Sequence, residues 1–458
     1  MGFRNKIAQY REYKNGVSHC TFNPEGPGVV RIHLIPPRFR LFRSNAYIVI
    51  LNGYYLLPVG YSWALMLSYF MKEVNKFDGE PVVDDSAVVE NTLRNMRRVY
   101  PSIKETQLRQ DLQELLRVLF AVARGNDPEI QLERLSIRAY GRNMTAPHRM
   151  DLMVSAMTDS TGHWQCNQKC LFCYAAGQKL SGSQELTTEQ WMQAIENLER
   201  AGVPMVTFTG GEPTIRQDID QLVGYAKRLV TRLNTNGVNL TPELVKKLKI
   251  AGLDSLQVTL YSYDPAVHNA LVGCQGHPET VQGIRNAVAA GLDVSVNTPL
   301  CGKNGDYLET LRFIHGLGVR FVTVSGLICT GMAGINHKDY DLSTDALYEI
   351  VRAAKAFCDE HEMEMDFTSP GLIPAEELRA LGMNVPMCGA CLSNMAVAPD
   401  GTVVPCQSWL GGDAGLGNIL TDPFKKIWKH PKAVKLRRMT EEQALSCPFR
   451  REKGGDRT

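Results

Sequence analysis

No apolar run in this sequence is long enough to cross a bilayer. The longest, such as YIVIL at 47–51, fall far short of the ~20 residues a spanning helix needs. The opening residues, MGFRNKIAQYREYKNG, lack the apolar core of a secretory signal, so the expectation is a cytoplasmic protein. An excess of either charge is missing too. Fifty basic against 48 acidic residues leave a formal net charge of +2, which argues against a dedicated nucleic-acid or polyanion partner; with no long apolar run, no membrane partner is expected either. There is no low-complexity segment and no evident repeat. With 44% hydrophobic and 21% charged residues over 458 positions, the composition is globular and the length suggests roughly two to four domains.

Cysteine is present in quantity. The 12 cysteines fall into two tight groups and five singles. In a chain expected to be intracellular, clustered thiols read as metal ligands before disulfides. The first group is Cys166, Cys170 and Cys173, in QCNQKCLFCYA; the second is Cys388, Cys391, Cys406 and Cys447. The singles Cys20, Cys274, Cys301, Cys329 and Cys358 read first as small buried hydrophobes.

The texture of the chain changes along its length. Residues 28–57 carry extended apolar stretches with Asn52-Gly53 as a hairpin signal. SWALMLSYFMKEV, an acidic turn at DGEPVVDDSA and a region at 87–124 with leucines at helical spacing follow. From 150 to 340 short apolar runs alternate with helical patterns: MDLMVSAMT, MVTFT, LVTRLNT, LQVTLYS, DVSVNTPL and RFVTVSGLI. Six strands alternating with helices predict an α/β fold, a parallel sheet or barrel whose ligands gather at the strands' C-terminal ends. A helix is expected at 344–361, and a turn-rich tail from 386 suits metal stabilisation. The expected divisions are a module at 1–125, a linker at 126–149, the βα core at 150–340, a bridging region at 341–385 and a tail domain at 386–458.

Three closely spaced thiols suit either zinc or a four-iron cluster with one iron left open. His163 precedes them and reads as solvent-facing or structural. Cys-x3-Cys-x2-Cys with Phe172 before the third cysteine, followed by TGGEP at 209–213 after the second strand, resembles the radical SAM superfamily. The resemblance covers about 150–330. It implies a partial (β/α)6 barrel, a 4Fe-4S cluster on Cys166, Cys170 and Cys173, and S-adenosylmethionine on the open iron. Reductive cleavage of that cofactor would give a 5′-deoxyadenosyl radical that abstracts hydrogen from substrate. Gly210, Gly211, Glu212 and Pro213 match the motif that holds the cofactor's amino group, and the residues agree: glycines permit close approach and a carboxylate pairs with an ammonium. Thr235, Asn236, Ser262 and Asn297 follow later strands on the same rim, where the family binds ribose and carboxylate.

The tail, CGACLSNMAVAPDGTVVPC then GNIL, IW and SCPF, resembles the SPASM/Twitch extension. This implies one auxiliary 4Fe-4S cluster on Cys388, Cys391, Cys406 and Cys447. Cys391 stands where that family commonly has glycine, and a zinc knuckle is the alternative. The order of elements in 1–125 resembles the winged-helix-like RiPP recognition element, which binds leader peptides by strand addition; a generic scaffold is its alternative. Together these imply a maturase of a ribosomally made precursor peptide, fed electrons by a donor such as flavodoxin or ferredoxin and installing a C–S or C–C crosslink. An epimerase with Cys301 or Cys329 as hydrogen donor, a small-molecule radical SAM enzyme and a non-catalytic zinc-stabilised peptide binder are the alternatives. Asp264 and His268 are candidates for the active rim, but read first as capping or structural residues.

Overall fold

The computed structural model describes residues 19–23, 28–36, 47–77, 85–130, 134–141 and 143–448. The acidic turn expected at DGEPVVDDSA lies largely outside these, as do residues 449–458 of the expected tail domain. The chain divides into two units. One runs to His148 and takes in Glu199–Pro204 and Arg228–Val230; the other holds the remainder from Arg149.

The first unit contains a four-stranded antiparallel sheet in the order β1-β2-β3-β4, formed by His19–Phe22, Val30–Ile35, Tyr47–Leu51 and Tyr55–Val59. β1 was not expected from the sequence. The Asn-Gly turn joins β3 to β4 with φ of 48° at Asn52 and 67° at Gly53, both in the left-handed region; with Tyr54 they make a three-residue loop, since Leu51 pairs with Tyr55. Asn52 also ties the turn to the start of β2: its Oδ1 accepts from Arg31 N–H at 2.7 Å and its Nδ2 donates to Val29 O at 3.1 Å. Three helices follow, α1 (Tyr61–Val74), α2 (Asp85–Val99) and α3 (Glu105–Ala123). Their buried residues recur at helical spacing: Val88, Thr92 and Met96 on α2, and Leu108, Leu112 and Leu119 on α3. They join Phe22, Ile32, Leu34 and Leu51 from the strands in one core.

The second unit is built on a ten-stranded sheet in the order β11-β10-β9-β8-β7-β6-β5-β12-β13-β14. β5 to β11 are Arg149–Ser155, Met205–Gly210, Val230–Thr235, Ser255–Thr259, Val294–Pro299, Phe321–Ser325 and Glu364–Phe367. Pairings β5/β6, β7/β8, β8/β9, β9/β10 and β10/β11 are parallel, as the βα alternation predicts. Crossover helices bury one stripe each. In Thr188–Ala201 the stripe is Trp191, Ala194, Ile195 and Leu198. The helix Pro242–Ala251 shows the local logic at both ends. Thr241 Oγ1 accepts from Leu244 N–H (3.2 Å) ahead of a proline at the first helical position, and Gly252 closes the helix at φ 86°.

Two features of this sheet differ from the six-strand reading. β11, within the segment read as a bridge, adds a seventh parallel strand beside β10. At the other edge the tail hairpin joins the same sheet: β12 (Asn394–Val397) pairs parallel with β5, and β13 (Thr402–Val404) antiparallel with β12. β14 (Gly417–Asn418) completes it. The tail therefore shares backbone hydrogen bonds with the βα core.

Candidate active site

The loop after β5 carries the first cysteine group. It is held by backbone bonds from Lys169 N–H to Val272 O (2.9 Å) and from Leu171 N–H to Leu271 O (2.8 Å). Cys166, Cys170 and Cys173 line a cavity of about 550 Å³ at the sheet's functional rim, together with Phe172, Gly210, Gly211, Glu212, Thr235, Asn236 and Asn297. Cys406 and Cys447 from the tail line the same cavity. Pro213, Ser262, Cys301, Cys329, Cys388 and Cys391 are not among its lining residues.

Burial pushes the Cys166 thiol up to about 12, with the Glu212, Cys173 and Cys274 charges adding to the effect. Burial raises Cys170 well above the usual thiol range, and the charges of Cys173, Cys166 and Cys274 add to it. Thiols this buried and mutually repelling need a cationic centre to exist as thiolates. Cys274, read as an isolated cysteine from the sequence, is close enough to join this set electrostatically; nothing in its spacing signals it. The group does not bring three ligand atoms within 4.8 Å of one another, among the described residues. Three buried thiols from one short loop, with Cys274 nearby, suit a polynuclear cluster with an open iron.

After β6 the TGGEP turn makes a tight approach to β5. Gly210 has φ 139°, and a Cβ there would lie 2.4 Å from Ser155 O; only glycine fits. Glu212 is buried, and its two oxygens receive four donors. Oε1 accepts from Thr214 N–H (3.0 Å), Thr214 Oγ1 (2.6 Å) and Thr235 Oγ1 (2.6 Å), and Oε2 from Asn236 N–H (2.7 Å). Burial raises its pKa despite these bonds, so a cationic partner would favour the ionised form. Asn236 Nδ2 donates to Asn167 Oδ1 (2.6 Å), tying this rim to the cysteine loop. Deeper in the cavity, Gln257 Nε2 donates to Thr323 Oγ1 and Thr323 to Asn297 Oδ1, both at 2.9 Å. Arg232, Asn234, Gln257 and Thr323 also line the cavity. The sequence reading missed them, although polar residues at alternate strand positions, as in TRLNT, were the signal. Gln168 Nε2 and Thr207 Oγ1, in the same lining, are buried without a partner in the protein, as expected of groups that meet a ligand.

Of the tail cysteines, Cys406 is raised chiefly by burial, with the charges of Cys388 and Cys447 adding to it. Cys391 adjoins Cys388 and is pushed up to about 12, chiefly by burial. Its φ of 59° is the left-handed conformation that favours glycine, and its N–H donates to Asn394 O (2.9 Å) and Pro405 O (3.1 Å).

The two cysteines singled out as hydrogen donors lie elsewhere. Cys301 is 0% exposed and packs with Phe172, Tyr261 and Leu271. Cys329 stands beside His337 and Asp341. Ser262 Oγ accepts from Asp264 N–H (3.1 Å) outside the cavity. Asp264 caps the helix Pro265–Val272 through Ala266 N–H (2.8 Å), and His268 is buried. His163 is exposed and bonds Thr161 Oγ1 (2.7 Å).

The radical SAM superfamily profile matches residues 165–314, and the SPASM profile, an iron-sulfur cluster-binding domain, matches 388–448. The chain carries a radical SAM domain. It carries a SPASM domain after the radical SAM domain. PqqA peptide cyclase of Streptomyces rochei is 29% identical over 296 residues, 62% of this chain and 79% of that protein. AdoMet-dependent heme synthase of Methanosarcina barkeri is 28% identical over 305 residues, 62% of this chain and 84% of that protein. Among solved structures, Streptococcus suis SuiB bound to precursor peptide SuiA superposes with TM-score 0.59 at 15% identity, covering 89% of each chain. This shows a shared fold. A radical SAM domain with a SPASM domain implies a 4Fe-4S cluster, S-adenosylmethionine and auxiliary iron–sulfur chemistry. The buried thiol sets and unpartnered polar atoms of this chain fit those groups. No helix among the described residues is long and apolar enough to cross a membrane.

Proposed function

We propose that the enzyme modifies a ribosomally made precursor peptide, installing a C–S or C–C crosslink. Cys166, Cys170 and Cys173 would hold the cluster that binds S-adenosylmethionine. Glu212 would receive its ammonium, while Asn236 and Asn297 would meet its remaining polar groups. Cys388, Cys406 and Cys447, with Cys391 beside them, would hold one auxiliary cluster. With these groups bound, the site supplies a carbon-centred radical that takes hydrogen from substrate and an acceptor for the electron released on bond formation. The chain's own part is to orient substrate on the polar floor of Gln257, Asn297 and Thr323 and to keep water away. An external carrier such as flavodoxin or ferredoxin would deliver electrons.

One observation carries the peptide reading. The first unit has an apolar cavity of about 480 Å³, lined by Leu57, Pro58 and Val59 of β4, Trp63 and Leu67 of α1, and Leu115 and Val118 of α3. β4 is the last strand of its sheet. Leu56 O already accepts from Leu135 N–H at 2.9 Å and Pro58 has no N–H to give, so a leader peptide would bind chiefly by placing its apolar side chains in the cavity. The similarity to a heme synthase supports the small-molecule alternative, which needs no such groove.

Coexpression with the short peptide encoded beside its gene, followed by intact-mass measurement, tests the reading. Loss of two hydrogens from the peptide is expected, abolished by Cys170→Ala and weakened by Val118→Asp in the groove. An unmodified, unbound peptide would sink the proposal, and unchanged mass with inverted chirality would replace crosslinking by epimerisation.

A further inference from the structure

One set of metal-ligating side chains belongs to neither cysteine group. Cys329 Sγ, a ring nitrogen of His337 and a carboxylate oxygen of Asp341 lie within 4.8 Å of one another, the one such trio among the described residues. Local structure brings them together. Cys329 follows β10, just ahead of the helix Gly331–Asn336, and the chain then tightens into a 3₁₀ turn at His337–Asp339. Asp341 N–H donates to His337 O at 2.8 Å, a four-residue spacing that sets both side chains on one face. His337 Nδ1 and Asp341 Oδ2 are 2.6 Å apart. His337 is buried, while Cys329 and Asp341 are more accessible, which leaves an approach for an ion.

We propose that Cys329, His337 and Asp341 bind a zinc ion, with water at the fourth position. A thiolate, an imidazole and a carboxylate are the donor set of a borderline-soft ion and a poor one for magnesium or calcium. Zinc holds such atoms at about 2.0–2.3 Å, so side-chain adjustments of about an ångström close the site. Binding releases the Cys329 proton and exchanges the His337–Asp341 hydrogen bond for two metal bonds.

The location gives the ion a consequence. The helix between its ligands grips the cysteine loop of the radical site. Met332 N–H donates to Cys173 O (3.0 Å), Thr330 Oγ1 to Tyr174 O (3.1 Å), and Asn336 Nδ2 to Leu171 O (2.9 Å). The approach is so close that a Cβ on Gly331 (φ 58°) would lie 2.4 Å from Tyr174 O. A zinc joining residues on both sides of this helix pins the grip from outside the cavity. Cys329 is then a structural ligand rather than a hydrogen donor.

The test is made on holoenzyme with its full iron complement, given one equivalent of zinc sulfate and desalted under anaerobic conditions. About one zinc per chain is expected to remain, with at least tenfold less in His337→Gln and in the gentler Asp341→Asn at unchanged iron. Chelator should also strip iron faster from the zinc-depleted variants. Zinc-edge X-ray absorption provides a readout independent of any variant. A single sulfur among nitrogen and oxygen scatterers is expected. An all-sulfur shell, which would place zinc on the tail cysteines, overturns the proposal, as does equal zinc in wild type and variants or none in either.

Discussion

His33 on β2 is buried, and a hydrogen bond toward the Arg228 backbone does not offset that burial. Burial, with the charges of His19, His148 and Arg31, lowers its pKa from 6.5 to about 3. A base depressed in the folded state binds fewer protons there than when unfolded. Its contribution is complete above pH 6.5 and is lost progressively as pH falls toward 3, at ~1.4 kcal/mol per unit. Wild type should therefore lose several kcal/mol more than His33→Phe across that range, measured by denaturant unfolding at each pH. Parallel curves would refute the assignment. At this scale QCNQKCLFCYA and TGGEP were legible, because loop chemistry needs thiols, glycines and a carboxylate at short spacings. The neighbourhood of Cys274, and the burial of Cys301 away from the cavity, were not; each depends on packing between segments remote in sequence.

Elements were legible wherever one period dominates. The apolar stripe of Thr188–Ala201, the capped start of Pro242–Ala251 and the Asn52-Gly53 turn each announce themselves locally. β11 is only four residues long and carries no alternation strong enough to separate it from the end of the preceding helix. β12 was readable as part of a hairpin, but its pairing with β5 was not, since an edge's partner is a non-local choice. That pairing is testable. Ala396 faces Asp151 on one side and Val404 on the other, and a proline there removes an N–H from a strand paired on both sides, a position proline avoids. Ala396→Pro should lower the melting temperature and release the tail's iron first. Retention of all iron with unchanged melting would show that the tail does not depend on β5.

For the whole molecule, Cys166, Cys170 and Cys173 share one cavity with Cys406 and Cys447 of the tail, and the proposed function gives them two clusters with a division of labour. Anaerobically reconstituted enzyme should hold about eight iron per chain, four per cubane cluster. Cys406→Ala should retain about half of it, still form 5′-deoxyadenosine and yield no modified peptide. Normal product from that variant would make the second set structural only.

By itself the sequence determined the α/β class, the cysteine and glycine motifs and the radical SAM chemistry they serve, because these rest on residue type, short spacing and hydrophobic period. Tertiary structure alone decided that the tail hairpin extends the core sheet, that Cys406 and Cys447 face the same cavity as Cys166, and that Cys329 turns instead to His337 and Asp341. Those outcomes follow from strand edges and buried side chains meeting across more than two hundred residues in the first cases, and from one turn's geometry in the last. No local pattern encodes either.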